Sequence, residues 1–240
     1  MIIEDFTMLG KTVPEPARRD NQLYVCSAGI SPELGLVRIY RLPTKFTPKR
    51  WNTYRVPVER DRQDDSRDES FKVQKDKWFQ HVGKSDVRQL APILNRFSVG
   101  SIKEANEKRM SLAILHPSHM SVYFRDNPDS PDSPILSLFD VNQRTSTGAK
   151  RFPHSPRMRF YDDLGERDLM IRDWGCYEWM RKQPDRYQEM KSTLHLNDES
   201  SLLIGNFNQI RTQWLIISVI NGLRTNQPTL FDTCPDTTTG

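Results

Sequence analysis

The side chains that could do chemistry are the carboxylates, histidines and thiols. Asp162, Asp163, Glu166, Asp168 and Asp173 crowd one short segment. Converging carboxylates of this kind can hold Mg²⁺ for phosphodiester cleavage, so a Mg²⁺-dependent nuclease is one reading. Against it, Asp162 and Asp163 stand beside Gly165 in FYDDLGERD, where aspartate is ordinary turn chemistry. His81, His116, His119 and His154 have no acid or thiol at a ligand spacing, and HPSH (116–119) reads as a turn with hydrogen-bonded or solvated rings. Cys26, Cys176 and Cys234 lie far apart without a CxxC pair, which points to a reducing compartment. No catalytic residue, metal or cofactor is expected.

Basic and aromatic residues form a stronger pattern. LVRIYRLPTKFTPKRWNTYR (36–55) holds Arg38, Arg41, Lys45, Lys49, Arg50 and Arg55 with Tyr40, Trp51 and Tyr54, and no acid. A second acid-free stretch, 141–161, holds Arg144, Lys150, Arg151, Arg157 and Arg159. Net charge is only +4, so the positive charge is segregated, as an anionic partner requires. Arginine and lysine at phosphates, with Tyr40, Trp51 or Tyr54 stacked on bases, is the combination that single-strand binding uses. The competing reading buries Tyr40 and Trp51 and leaves the arginines at a solvated rim. The second stretch matches no phosphate-loop spacing, and a flexible basic loop is its alternative. Asp65, Arg67 and Glu69 in DDSRDES read as an internal ion pair pinning a loop. In the tail, Gln227, Leu230 and Phe231 resemble the short peptide that docks on a replication sliding clamp.

These residues need a frame. Mean hydropathy is -0.70, but aromatics at 10% supply large burial and argue for a folded chain. QLYVCSA (22–28) and LVRIYRL (36–42) flank GISPELG as a hairpin, with Val37 and Ile39 on one face and Arg38 beside Tyr40 on the other. YRVPVE (54–59) and SFKVQ (70–74) are weaker strands. SDVRQLAPILNRF (85–97) has helical spacing with Ser85 as its expected N-cap, and SIKEANEKR (101–109) opens with a Ser101/Glu104 capping box. SLAIL and MSVYF resume strand character. RDNPDSPDSP (125–134) is rich in turn residues and marks a linker. ILSLFDV, RMRFY and RDLMIRDW follow, then helical GCYEWMRKQPDRYQEMKS, then the apolar pair SLLIGNF and WLIISVI.

The expected fold is mainly β with inserted helices (α+β): two OB-like small β-barrels in tandem. Residues 1–125 would form the first, 126–134 the linker, 135–224 the second and 225–240 a flexible tail. No apolar run has membrane-spanning length, and a soluble cytoplasmic protein is expected.

KTVPEPARRDNQLYVCSAGI, LVRIYRLP, DDSRDESFKV and SIKEANEKRMSLAILHP resemble, in order, a group of largely uncharacterised bacterial proteins with a dual OB-containing domain. FYDDLGERDLMIRDW and LLIGNFNQIRTQWLIISVI are similar to that group's closing segments. The chain departs from it at Leu36-Val37, where the group carries an aromatic residue. The resemblance implies nucleic-acid binding beside defence or mobile-element functions. The leading expectation is therefore a non-enzymatic adaptor or sensor for single-stranded or structured nucleic acid, as a subunit of a defence or replication-linked complex. A protein-interaction scaffold using WLIISVI and barrel edges is the alternative from another class.

Overall fold

The computed structural model describes residues 1–16, 23–44, 48–63, 65–74, 79–127, 152–208 and 210–224. The strands before residue 85 are β1 (Ile2–Lys11), β2 (Glu15–Pro16), β3 (Leu23–Ser31), β4 (Gly35–Pro43), β5 (Asn52–Glu59), β6 (Ser70–Val73) and β7 (Gln80–Lys84). β1 pairs with β3, β3 with β4, β4 in parallel with β6, β6 with β5, and β5 back to β1, which closes a five-stranded barrel. Strand alternation explains the inside of this ring. In β5, Asn52, Tyr54, Val56 and Val58 are buried while the residues between them are partly or fully exposed. β4 breaks that rule, because its first six residues are all buried. Both of its faces are therefore covered, one by the barrel core and the other by the second half of the chain.

Helix α1 (Val87–Leu94) follows. Asp86, not Ser85, caps it: Asp86 accepts from the Gln89 amide while the Gln89 side chain accepts from the Asp86 amide. The Ser85 hydroxyl is used elsewhere, 3.1 Å from Thr53 Oγ1. Next come β8 (Ser98–Val99), α2 (Ile102–Glu107), β9 (Leu112–Leu115), β10 (Ser118–Asp126), β11 (His154–Asp162), β12 (Gly165–Ile171), α3 (Trp174–Lys182), β13 (Ser201–Asn206) and β14 (Trp214–Ile220). At α2 the expected cap forms, with Ser101 Oγ accepting from the Glu104 amide at 3.1 Å. The Glu104 carboxylate reaches the Gly100 amide, one residue further back than a capping box places it.

The second sheet runs β10-β11-β12-β14-β13-β9-β8. Only His116 and Pro117 separate β9 from β10, so the ends of the circuit are two halves of one bent strand and meet there. As in the first barrel, the third and fifth strands of the circuit, β12 and β14, pair in parallel. Both units are thus five-stranded Greek-key barrels of the OB type. The expected boundary at 126–134 is corrected by the pairing: β8, β9 and β10, assigned to the first barrel from sequence, belong to the second. The turn-rich stretch connects two strands of one barrel, and most of it lies outside the described residues, as does ILSLFDV.

The barrels share their packing. Leu9, Ala28, Ile30 and Leu36 of the first cluster with Leu112, Ile114, Leu203, Leu215 and Ile217 of the second. A Cβ on Gly10 would stand 2.7 Å from Ser218 Cβ, so glycine permits the approach of β1 to β14. Two buried arginines complete the junction. Arg38 donates to the Ser111 carbonyl at 2.8 Å and Arg67 to the Asn206 carbonyl at 2.8 Å, both across the barrel boundary. Arg67 is also held by Asp65 through two oxygens, as DDSRDES led us to expect. Burial alone would raise the Asp65 pKa, but the Arg67 hydrogen bonds and charge outweigh it and hold the carboxylate below its usual range.

Asp65→Ala leaves the Arg67 guanidinium buried without its counter-ion and is expected to destabilise the chain by about 3–5 kcal/mol, read from denaturant midpoints. Arg55→Ala removes an exposed pair with Glu4 and is expected to cost under about 1 kcal/mol. Because the folded-state pKa of Asp65 is depressed, its contribution is full at neutral pH and disappears on acidification through and below the ordinary carboxylate range.

His116, at the strand bend, is 3.0 Å from Ser98 Oγ and 2.8 Å from Ser201 Oγ. Burial, helped by the Arg224 charge, pushes its pKa down to about 4. The unfolded chain then binds the extra proton first, so stability should fall from the ordinary histidine pKa down to about pH 4. The comparison is urea denaturation of wild type and His116→Gln at several pH values: the variant should lose that part of the slope, and an unchanged slope contradicts the assignment.

Candidate nucleic-acid interface

In OB-type barrels the second and third strands and the loops beside them form the usual binding face. In the second barrel these strands are β11 and β12, with β10 alongside. Register and pleat decide which side chains share the outer face. Tyr161 pairs with Ser118 and Glu166, Arg159 with Ser121 and Asp168, and Arg157 with Tyr123 and Met170. Arg125 faces Ser155 at the end of β10. The opposite face, with Met158 and Phe160, is core. A bulge shifts β10 between Ser118 and Ser121, and His119 there adopts φ +50°. Its ring meets Tyr161 edge-on with centroids 5.9 Å apart.

The Arg159 guanidinium lies over the Tyr123 ring, 4.8 Å from its centroid. Arg157 Nε donates to Asp168 Oδ1 at 2.9 Å and to the Tyr123 hydroxyl at 3.2 Å, and that hydroxyl donates to Asp168 Oδ2 at 2.5 Å. Burial works against both charges here. The Tyr123 and Arg157 hydrogen bonds nevertheless hold the Asp168 carboxyl below its usual range, and Asp168 raises the Arg157 pKa. This triad fixes the centre of the face, while Arg125 and Arg159 remain exposed and Tyr161 is 46% exposed. The sequence pointed to Arg157 and Arg159 but missed His119, Tyr123, Arg125 and Tyr161. Alternation in RMRFY, which puts Arg157, Arg159 and Tyr161 on one side, was the signal available.

The opening stretch has a different fate. Arg38 is 4% exposed, with Nη2 donating to the Ser111 carbonyl; burial and the nearby Arg67 charge lower its pKa. Tyr40 is 8% exposed and donates to the Asp61 carbonyl at 3.3 Å. Tyr54 is 6% exposed, lies edge-on to Phe79 and His81, and accepts from the Lys49 amide at 2.7 Å. These three are out of reach of a ligand, because the second barrel and the barrel interior enclose them. Arg41 is partly buried in a left-handed backbone position, φ +58°. Trp51 is partly buried beneath Arg50, whose guanidinium donates to the Val219 carbonyl. That carbonyl lies toward the far end of β14 from its pairing with β12, so Arg50 is not on the β10–β12 face. Lys49 is exposed. Lys45, Arg144, Lys150, Arg151, Gln227, Leu230 and Phe231 lie outside the described residues.

The carboxylates do not converge. Asp162 accepts from the Leu164 and Ile102 amides and from Arg167, Asp168 serves the arginine–tyrosine triad, and Asp173 caps α3. Among the described residues no group of histidines, thiols and carboxylates is arranged to hold a metal ion. Burial raises the Asp173 pKa, with Arg50 partly opposing it. Asp173 and Arg50 line a cleft of about 290 Å³ with Trp179, His195 and Asn221, but Arg50 and Asn221 already donate to the Val219 and Leu194 carbonyls. WLIISVI is fully buried as the central strand β14, which removes it as a docking surface. Of the described residues, no helix is long and apolar enough to cross a membrane.

The family described as a domain of unknown function (DUF8758) matches residues 3–93, which takes in the first barrel and α1. Among curated proteins, none matches the chain. Similar solved structures include a murine DNA-binding protein bound with double-stranded DNA, 9% identical, covering 92% of this chain and 98% of that one with a TM-score of 0.36. They also include the tetrameric p202 HIN2, 7% identical, covering 90% and 88% with a TM-score of 0.33. A replication protein A heterotrimer bound to single-stranded DNA is 9% identical, covering 94% of this chain and 50% of that one with a TM-score of 0.40.

Proposed function

We propose that the chain binds single-stranded or structured nucleic acid on the β10–β12 face and acts as a non-enzymatic adaptor or sensor in the cytoplasm. One observation carries the reading: Arg159 stacked over Tyr123, beside the exposed Tyr161, on the strands that OB-type barrels use for binding. Arg125 and Arg159 supply phosphate contacts, and the His119–Tyr161 pair supplies a ring surface for a base. Arg144, Lys150 and Arg151 fall in the sequence between β10 and β11 and, in this reading, add phosphate contacts. A place in a defence or replication-linked complex follows from the sequence resemblance alone.

The test is fluorescence anisotropy with labelled single-stranded DNA, single-stranded RNA and duplex, at low and moderate salt, with Mg²⁺ present and probe integrity checked afterwards. Affinity should fall steeply with salt and the probe should stay intact. Arg159→Glu should weaken binding by about tenfold or more, and Tyr161→Ala by about 1–3 kcal/mol. Lys49→Glu should change affinity by less than about twofold, since Lys49 is not part of this face. Absence of binding at low salt, or a loss caused by Lys49→Glu and not by Arg159→Glu, contradicts the proposal.

A further inference from the structure

The outer face of β10–β12 is not uniformly basic. Its cations, Arg125, Arg157 and Arg159, stand on β10 and β11, whereas β12 presents Glu166 and Asp168. β12 pairs with β11 along its length but with β14 only at Met170 and Ile171, so both acids stand on the N-terminal half, whose β14-side edge is unpaired, at the open margin of the sheet. Their charges differ in consequence. Asp168 is paired with the Arg157 charge and accepts a hydrogen bond from Tyr123. Glu166 is exposed, and among the described residues its carboxylate makes no ion pair.

We infer that Glu166 makes this face selective for a single strand over a duplex. The inference rests on the nucleic-acid reading above and adds its specificity. Neighbouring strands are about 4.8 Å apart, so the cationic lane over β10 and β11 is one backbone wide, with acids about 5 Å beyond it. A duplex carries its second phosphate backbone about 6–12 Å away across a groove. Laid along the lane, that second backbone falls on or past the acidic margin and meets like charge. A single strand has no second backbone, and its unpaired bases can reach the His119–Tyr161 rings, which a stacked duplex denies them. Repulsion on one side and stacking on the other act in the same direction.

The experiment compares Kd for one labelled single strand and for a hairpin duplex containing it, using the full chain, Glu166→Gln and Glu166→Lys. Glu166 is exposed and holds no side-chain contact in the core, so thermal unfolding of the variants serves as a folding control. Wild type should prefer the single strand by about tenfold or more, and Glu166→Lys should cut that preference by about tenfold through tighter duplex binding, with Glu166→Gln between the two. Equal affinity of wild type for both probes, or a parallel gain for both in Glu166→Lys, overturns the inference and leaves nucleic-acid binding standing. Failure of wild type to bind either probe removes the underlying reading as well.

Discussion

Two guanidinium groups that left water to bond the carbonyls of another barrel constrain everything else in this fold. Arg38 and Arg67 start from the first barrel and end on Ser111 and Asn206 of the second. Parting the barrels would take these carbonyls away from two buried guanidinium groups, and Arg38 has no other partner at Nε among the described residues to compensate, so the barrels stay together at this junction. Asp65 serves the same end by neutralising Arg67. Gly205 leaves room for Arg38, since a Cβ there would stand 3.0 Å from Arg38 Nη2. The two barrels therefore behave as one packed body, with core clusters that draw on both.

That junction decides which face is free. Both barrels have the same strand order, and in both the second and third strands offer a surface. In the first barrel, β4 spends that surface on its neighbour. In the second, β11 and β12 keep theirs outward, with arginine and tyrosine on one side and Met158 and Phe160 on the other. The asymmetry between two similar folds comes from packing and not from topology.

Much of the framework was legible from local pattern. β5 alternates, WLIISVI is apolar throughout, and Ser101 precedes Glu104 at helix-start spacing, each for reasons confined to a few neighbouring residues. The site was less legible. Charged residues are seldom fully buried, so Arg38 read as surface, and only its contact with a segment far along the chain reverses that expectation. The barrel boundary failed for a related reason: proline, aspartate and serine mark a loop, but they do not say whether the loop joins two barrels or two strands of one. His119 was invisible as part of the face because a bulge, which alternation does not forecast, turns it toward Tyr161.

The central claim is that ligand contacts the β10–β12 face and not the basic stretch at 36–55. Hydrogen exchange of the full chain with and without a saturating single-stranded oligonucleotide tests it most directly. Slower exchange confined to 118–126 and 154–171, with 36–44 unchanged, is the predicted result. Protection centred on 36–55, with the β10–β12 strands unaffected, would contradict it.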